Sequence, residues 1–385
     1  MIFPDYRKDN ILNLMSSILN VYNYRSGYKP LKILEQYSLK KANNIIFFLI
    51  DGLGFDYINR HDNHEILYEK RIGKLLTVFP STTASAFTSI FTGLAPNEHN
   101  ITGWFVFLKE YGTVSAILPF ASRYSKKTFA DDIQIETVFH KNDSIFKKIK
   151  YCQKHFICNE YLSKDKTVEL QVHNGEIHSY KTLNDITSSI VKIVSKNNLK
   201  KFIFIYYDKF DGIAHKHGVN SQRASKEYSK INKMFTRLSG EIANTSSKII
   251  MTSDHGFLDT TANHFINLNE HPKLYDTLSI PLCGDSRVKY CYVKPDKVEV
   301  FKDYVSKKFG NKCYLYSKDE ILDKSFFGPK KNNNKTLEDR IGDYILILRD
   351  RYIMKDFLEN EEEEFFQGNH SGLSPDEMYV PLIVI

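Results

Sequence analysis

Ile45-Ile46-Phe47-Phe48-Leu49-Ile50-Asp51-Gly52-Leu53-Gly54 is the stretch on which the fold turns. Six consecutive apolar residues, rich in β-branched and aromatic side chains and too few for a buried helix, describe a strand covered on both faces. An acid ends it, and glycines follow that let the backbone turn close to a bound group. Phe202 to Tyr207, Ile249 to Met251 and Val380 to Ile385 repeat the apolar pattern. Between these runs lie helical periodicities, Ile186 to Val194 and Ala224 to Ile242. Strands alternating with helices predict an α/β fold whose mostly parallel central sheet carries helices on both faces.

The ends of these strands are acidic. Asp51 closes the first, Asp208 or Asp211 follows Tyr207, and Asp254 comes after Thr252-Ser253. Ligands of open parallel sheets collect at the carboxyl ends of the strands. Three carboxylates delivered to one edge need a counter-charge, and a metal ion supplies it. Upstream, Leu12, Met15, Leu19 and Tyr22 recur at helical spacing behind Asp9, which predicts an N-terminal helix capped by that aspartate and packed on the main domain.

Composition narrows the function. The 385 residues, 42% hydrophobic and 26% charged, are ordinary globular values, enough for two or three units of about 100–200 residues each. No apolar run approaches the ~20 residues of a membrane span, and the start of the chain lacks the pattern of a secretory signal. A cytoplasmic protein is expected. The five cysteines are scattered, with no CxxC pair, so a metal here must use histidine and carboxylate. The formal charge of +7 suits an anionic small molecule, but it is spread without a basic block, and no nucleic-acid partner is expected. The oligomeric state is not legible.

Between Gly256 and His370 the chain reads as an insertion. Val288 to Val293 predicts a strand, Val298 to Phe309 a helix and Cys313 to Tyr316 a second strand, with a polar loop from Lys330 to Lys335 and a solvated acidic run from Glu359 to Glu364. The expected organisation is a core over 1–265 that includes the N-terminal helix, a small α/β lobe over 266–350, and a return to the core over 351–385 with a terminal strand.

Four fragments carry chemistry besides the first strand end. Phe79-Pro80-Ser81-Thr82-Thr83-Ala84 sets hydroxyls at the start of a helix, where amides and dipole favour anions. Asp211 and His215, four residues apart, share one helix face and make half of a zinc site. Asp254 and His255 are adjacent at a strand end, and His370 stands between Gly368-Asn369 and Ser371-Gly372. Trp104 and Phe105 follow the hydroxyl cluster and offer a stacking surface, although a core role suits them as well.

In this order and spacing, the set resembles the alkaline phosphatase superfamily and, within it, the bacterial-type members of the type I phosphodiesterase/nucleotide pyrophosphatase family. The likeness runs from about Asn44 to Ile385. It rests on Phe79-Pro80-Ser81-Thr82-Thr83 through Thr92-Gly93, on Ser253-Asp254-His255-Gly256, on Gly368-Asn369-His370-Ser371-Gly372, and on the tail Leu373-Ser374-Pro375-Asp376-Glu377-Met378. The resemblance implies a pair of divalent metals, zinc ions; histidine and carboxylate ligands also suit manganese or iron. Asp51, Asp254, His255 and the nucleophile would hold one; Asp211, His215 and His370 would hold the other. Asp208 is an alternative ligand or, with Asp376, an acceptor that orients a ligating imidazole.

The nucleophile is assigned to Thr83, ten positions before Gly93, as the family's threonine lies before its glycine. A covalent phosphothreonine is implied, with the Ala84 amide donating to the phosphoryl group and Trp104 contacting substrate. Ala86 departs from the pattern, since the better-known nucleotide pyrophosphatases carry an asparagine there. The expected function is therefore hydrolysis of a phosphodiester or phosphoanhydride of a small, nucleotide-like molecule. The alternatives are a phosphomonoesterase or phosphoryl-transfer enzyme of the same superfamily, or a catalytically silent binding protein.

Overall fold

The structure is a computed structural model that describes every residue except 62–63, 130–132, 134, 139–142, 330–333 and 360. The expected loop at 330–335 and acidic run at 359–364 thus fall partly outside the described residues. Within them, Asn334 caps a short helix, Lys335–Arg340.

A seven-stranded sheet forms the centre. Its strand order is Arg71–Leu76, Tyr379–Val384, Ser247–Thr252, Asn44–Ile50, Lys201–Tyr207, Gln153–Asn159 and Glu176–Tyr180. Asn44–Ile50 lies in the middle, parallel to both neighbours and buried along its whole length. Its alternate side chains serve two cores. Ile45, Phe47 and Leu49 pack toward the helices Ile11–Val21 and Thr83–Thr92; Ile46, Phe48 and Ile50 pack toward Leu183–Ser195 and Gln222–Glu241. Burial at about 1.5–3 kcal/mol per large apolar side chain makes this strand the chief apolar anchor of both layers.

The terminal strand departs from parallel order, running antiparallel to both of its neighbours. Pro381 is tolerated because only Ile383 and Val384 pair with Ser247–Thr252, so the proline lies beyond that ladder. The N-terminal helix begins one residue later than expected. Its cap is Asn10, whose side chain accepts from the Leu12 and Asn13 amides, rather than Asp9.

A second seven-stranded sheet, antiparallel throughout, covers one end of the first. It contains Val288–Cys291, Cys313–Ser317 and Tyr344–Leu348, the helix Val298–Phe309 packs against it, and Phe105–Leu108, Thr113–Ala116 and Ala121–Ser122 extend it. Its strands therefore come from residues 105–122 as well as from 283–348. The join between the two segments is the pairing of Gly284 with Phe105.

Candidate active site

Asp51 and Asp254 leave neighbouring parallel strands at the same edge, which is why residues two hundred apart in sequence meet. The Gly52 amide donates to Asp254 Oδ1 at 3.1 Å. Two glycines permit this approach: Gly52 has φ +74°, and a Cβ on Gly256 would fall 2.0 Å from the Asp376 carbonyl. Gly52 and Gly256 thereby bring the strand ends together. Tyr206 on the adjoining strand donates to Asp51 Oδ2, and the Thr77 hydroxyl donates to the Asp254 carbonyl.

Asp51, Asp254 and His255 form one group of metal-ligating atoms, all buried; Asp211, His215 and His370 form another, half-buried apart from His370. The groups abut, since His255 Nε2 is 3.9 Å from Asp211 Oδ1 and the rings of His255 and His370 stack at 3.7 Å. Each imidazole is oriented by a backbone carbonyl. His215 Nδ1 meets Gly368 O at 2.9 Å, His255 Nδ1 meets Gly256 O at 3.1 Å, and His370 Nδ1 meets Ser81 O at 3.1 Å. With Nδ1 donating, each Nε2 presents a lone pair to the site.

Asp208 and Asp376, expected as partners of these rings, point elsewhere. Asp208 is held by Asn159 and Tyr180, and Asp376 pairs with Arg60 at 2.9 Å. A carbonyl does the same orienting work without adding another charge to a crowded acidic pocket. His217 also turns away, to Arg223.

The arrangement fits cations. Asp254 Oδ2 and Asp211 Oδ1 are buried without a hydrogen-bond partner. His215 Nε2 and His370 Nε2 face each other at 3.1 Å, two acceptors aimed at one point. Burial pushes Asp51 up to about 7 against the hydrogen bonds of Tyr206 and Asp254, while burial and then the charge of Asp51 push Asp254 up to about 7 and Asp211 well above its ordinary value. Burial also drives His215 down to about 4 and His370 well below its usual range. Carboxylates that resist ionising beside imidazoles that resist protonating are what positive ions would relieve. The donor set of carboxylate and imidazole suits zinc, manganese or iron.

Thr83 is the first residue of its helix, and its Oγ1 lies 3.1 Å from His255 Nε2 and 3.5 Å from Asp51 Oδ1. Thr82, at the N-cap, spends its hydroxyl on Asp285 Oδ1 at 2.8 Å instead of on the helix. The amides of the first turn, Ala84 included, are thereby left to another acceptor. Asp285 also accepts from the Trp104 amide at 3.2 Å, which ties Trp104, 37% exposed, to the rim. Asp285, Tyr206 and Thr77 escaped the sequence reading because none belongs to a spaced motif. Only the Gly284-Asp285 turn hinted at a role for the first.

The His370 loop is locked to the hydroxyl loop. Ser81 bridges Ser371, and Ser81 Oγ donates to the Gly372 carbonyl at 2.8 Å. Glu377 accepts from the Gly372 amide at 2.7 Å and from Arg287 Nε at 2.8 Å, a fully buried ion pair between tail and second sheet.

Residues 45–373 match the profile of the Type I phosphodiesterase / nucleotide pyrophosphatase family. The chain belongs to that family. Membership brings with it the alkaline phosphatase superfamily, hydrolysis of phosphoric ester bonds and dependence on metal. Solved structures agree on the fold. Murine ectonucleotide pyrophosphatase/phosphodiesterase 5 is similar with a TM-score of 0.67 at 16% identity, covering 88% of this chain and 87% of its own. An inactive form of that murine protein in complex with AMP gives 0.66 at 16%, with the same coverage. Phosphonoacetate hydrolase from Sinorhizobium meliloti 1021, in complex with phosphonoformate, gives 0.59 at 17%, covering 89% and 90%. Among curated proteins, none matches the sequence. In this family member, none of the described helices is long and apolar enough to cross a membrane.

Proposed function

We propose that this phosphodiesterase-family enzyme uses Thr83 as the nucleophile on a small, nucleotide-like phosphodiester or phosphoanhydride, at a site for two zinc ions. The observation that carries the reading is the position of Thr83 Oγ1, at a helix start and against His255 and Asp51 of the buried ligand group. Asp51, Asp254 and His255 would hold one ion beside the threonine, and Asp211, His215 and His370 the other. When bound, such ions supply the positive charge that lowers the pKa of a hydroxyl and offsets charge on phosphoryl oxygens.

The chain does the rest. Thr83 Oγ1, its proton lost to solvent, attacks phosphorus; the Oγ–P bond forms as the bond to the leaving oxygen breaks, giving a phosphothreonine. The Ala84 amide donates to a non-bridging oxygen, which needs no side chain and so is indifferent to alanine at position 86. Water then attacks phosphorus from the opposite side, the Oγ–P bond breaks, and Thr83 recovers its proton. Asp285 keeps the Thr82 hydroxyl out of the helix cap, and the lobe with Trp104 at its rim borders the leaving-group side. Asp208 has no part as a ligand in this reading. All five cysteines are unpaired, which supports a reducing, cytoplasmic setting.

The test is acid-quenched turnover of a diester labelled at phosphorus by zinc-loaded protein, with Thr83→Ala alongside. Label trapped on the wild-type chain and absent from the variant supports the scheme; turnover retained by the variant overturns it. A ratio of bis-p-nitrophenyl phosphate to p-nitrophenyl phosphate turnover above one favours diesters, and the reverse ratio favours the monoesterase.

A further inference from the structure

A second place in the main sheet gathers ligand atoms far from the hydroxyl loop. His155 lies on Gln153–Asn159, and Glu176 and His178 on the edge strand Glu176–Tyr180. The parallel register sets His155 opposite Glu176, and residues 176 and 178 share a face because strand side chains alternate. The register alone therefore stacks two imidazoles and a carboxylate on one side of the sheet. Glu176 opens its strand, His155 lies nearer the start of its own and His178 lies mid-strand, whereas the active site uses the strand ends.

The separations are those of a coordination shell. His155 Nδ1 is 3.0 Å from His178 Nε2 and 3.5 Å from Glu176 Oε2, and His178 Nε2 is 3.8 Å from the same oxygen. Bonds of about 2.0–2.1 Å in a tetrahedral zinc site put neighbouring ligands about 3.3–3.4 Å apart. Outside this cluster the His155 ring has no polar partner among the described residues: it is 4% exposed, and its Nε2 is buried without a hydrogen-bond partner. We propose that His155, Glu176 and His178 form a further divalent-cation site, selective for zinc-like first-row ions, that clamps the edge strand to its neighbour.

Burial first, with Lys192, Lys196 and Lys201 nearby, holds both imidazoles below their ordinary value, so each ring is neutral at neutral pH and keeps one nitrogen lone pair for a ligand bond. Those lysines also oppose a cation, and Glu176 is the carboxylate that offsets them. Glu176 is well exposed, which leaves the fourth position to water and gives the ion an entry path. A clamp here also suits an edge strand, whose outer side has no ladder partner among the described residues.

The test measures zinc content and melting temperature of the whole protein after metal stripping and dialysis against Zn2+. Wild type is expected to retain one more zinc per chain than His178→Ala and to gain a larger zinc-dependent rise in Tm, while both turn over diester equally. Glu176→Gln, at an exposed position that the fold tolerates, is expected to weaken the extra site at least tenfold and carries the test if the histidine variant does not fold. Equal zinc content in wild type and the variants overturns the proposal.

Discussion

The two ligand groups of the active site are built differently. Asp51, Asp254 and His255 ride on adjacent central strands, and hydrogen bonds of that layer fix them. Asp211 and His215 sit on one helical turn, but their partner His370 arrives more than 150 residues later on a loop held by Ser81 and Glu377. The first group comes with the sheet, so any protein that folds has it. The second is complete only when the tail docks.

The sharpest way to break this contrast is at the hydroxyl that lies against the first group. Thr83→Ala should cut turnover by about 10³-fold or more while both metals stay bound, as measured by steady-state kinetics beside elemental analysis. Next comes Glu377→Ala, which strands buried Arg287 and frees the Gly372 amide. A broken buried pair costs about 3–5 kcal/mol, and metal should be lost from the His370 group while the Asp51 group keeps its ion. The loss of one zinc per chain, beside a lower denaturation midpoint, checks both halves. Equal loss from both groups would erase the distinction.

A smaller effect separates the carboxylates from their strands. In metal-free protein Asp254 is raised to about 7, above the ordinary 3.8, so the folded state holds its proton longer than the unfolded state. Its contribution to stability is present below about pH 4 and is lost as pH rises toward 7. Metal-free Asp254→Asn should therefore match wild type near pH 4 and exceed it at pH 8, by on the order of 1 kcal/mol or more, with zinc reversing the order. Denaturant melts at the two pH values decide it. Least affected is Trp104→Ala: stability should change by no more than about 0.5 kcal/mol, with KM rising and kcat held, since the side chain lies at the rim.

How much of this was legible follows the same line. The central strand, the helices at Ile186 and Ala224 and the strand-end acids were readable, because apolar period and an abrupt switch to Asp-Gly are local signals. Family motifs then marked Thr83 and His370. Asp285 was not readable, since its role depends on the second sheet crossing to Phe105, and neither was Glu377, an unremarkable glutamate until Arg287 meets it. The imidazole acceptors were misread as Asp208 and Asp376 because sequence names side chains, whereas these rings hydrogen-bond to backbone carbonyls. Glu176 and His178 have the alternate spacing of one strand face, but nothing in the sequence names His155 as their partner, since strand register alone makes it a neighbour.

By itself, the sequence determined the alternation of strands and helices, the acids waiting at the strand ends and the hydroxyl helix, because each depends on residues within a few positions of one another. Tertiary structure alone decided which nitrogen of each imidazole faces inward, which hydroxyl turns to Asp285 and which lies against His255, and which way the terminal strand runs. Those choices turn on hydrogen-bond partners brought from distant parts of the chain, and a buried polar group takes whichever partner the packed layers set within reach.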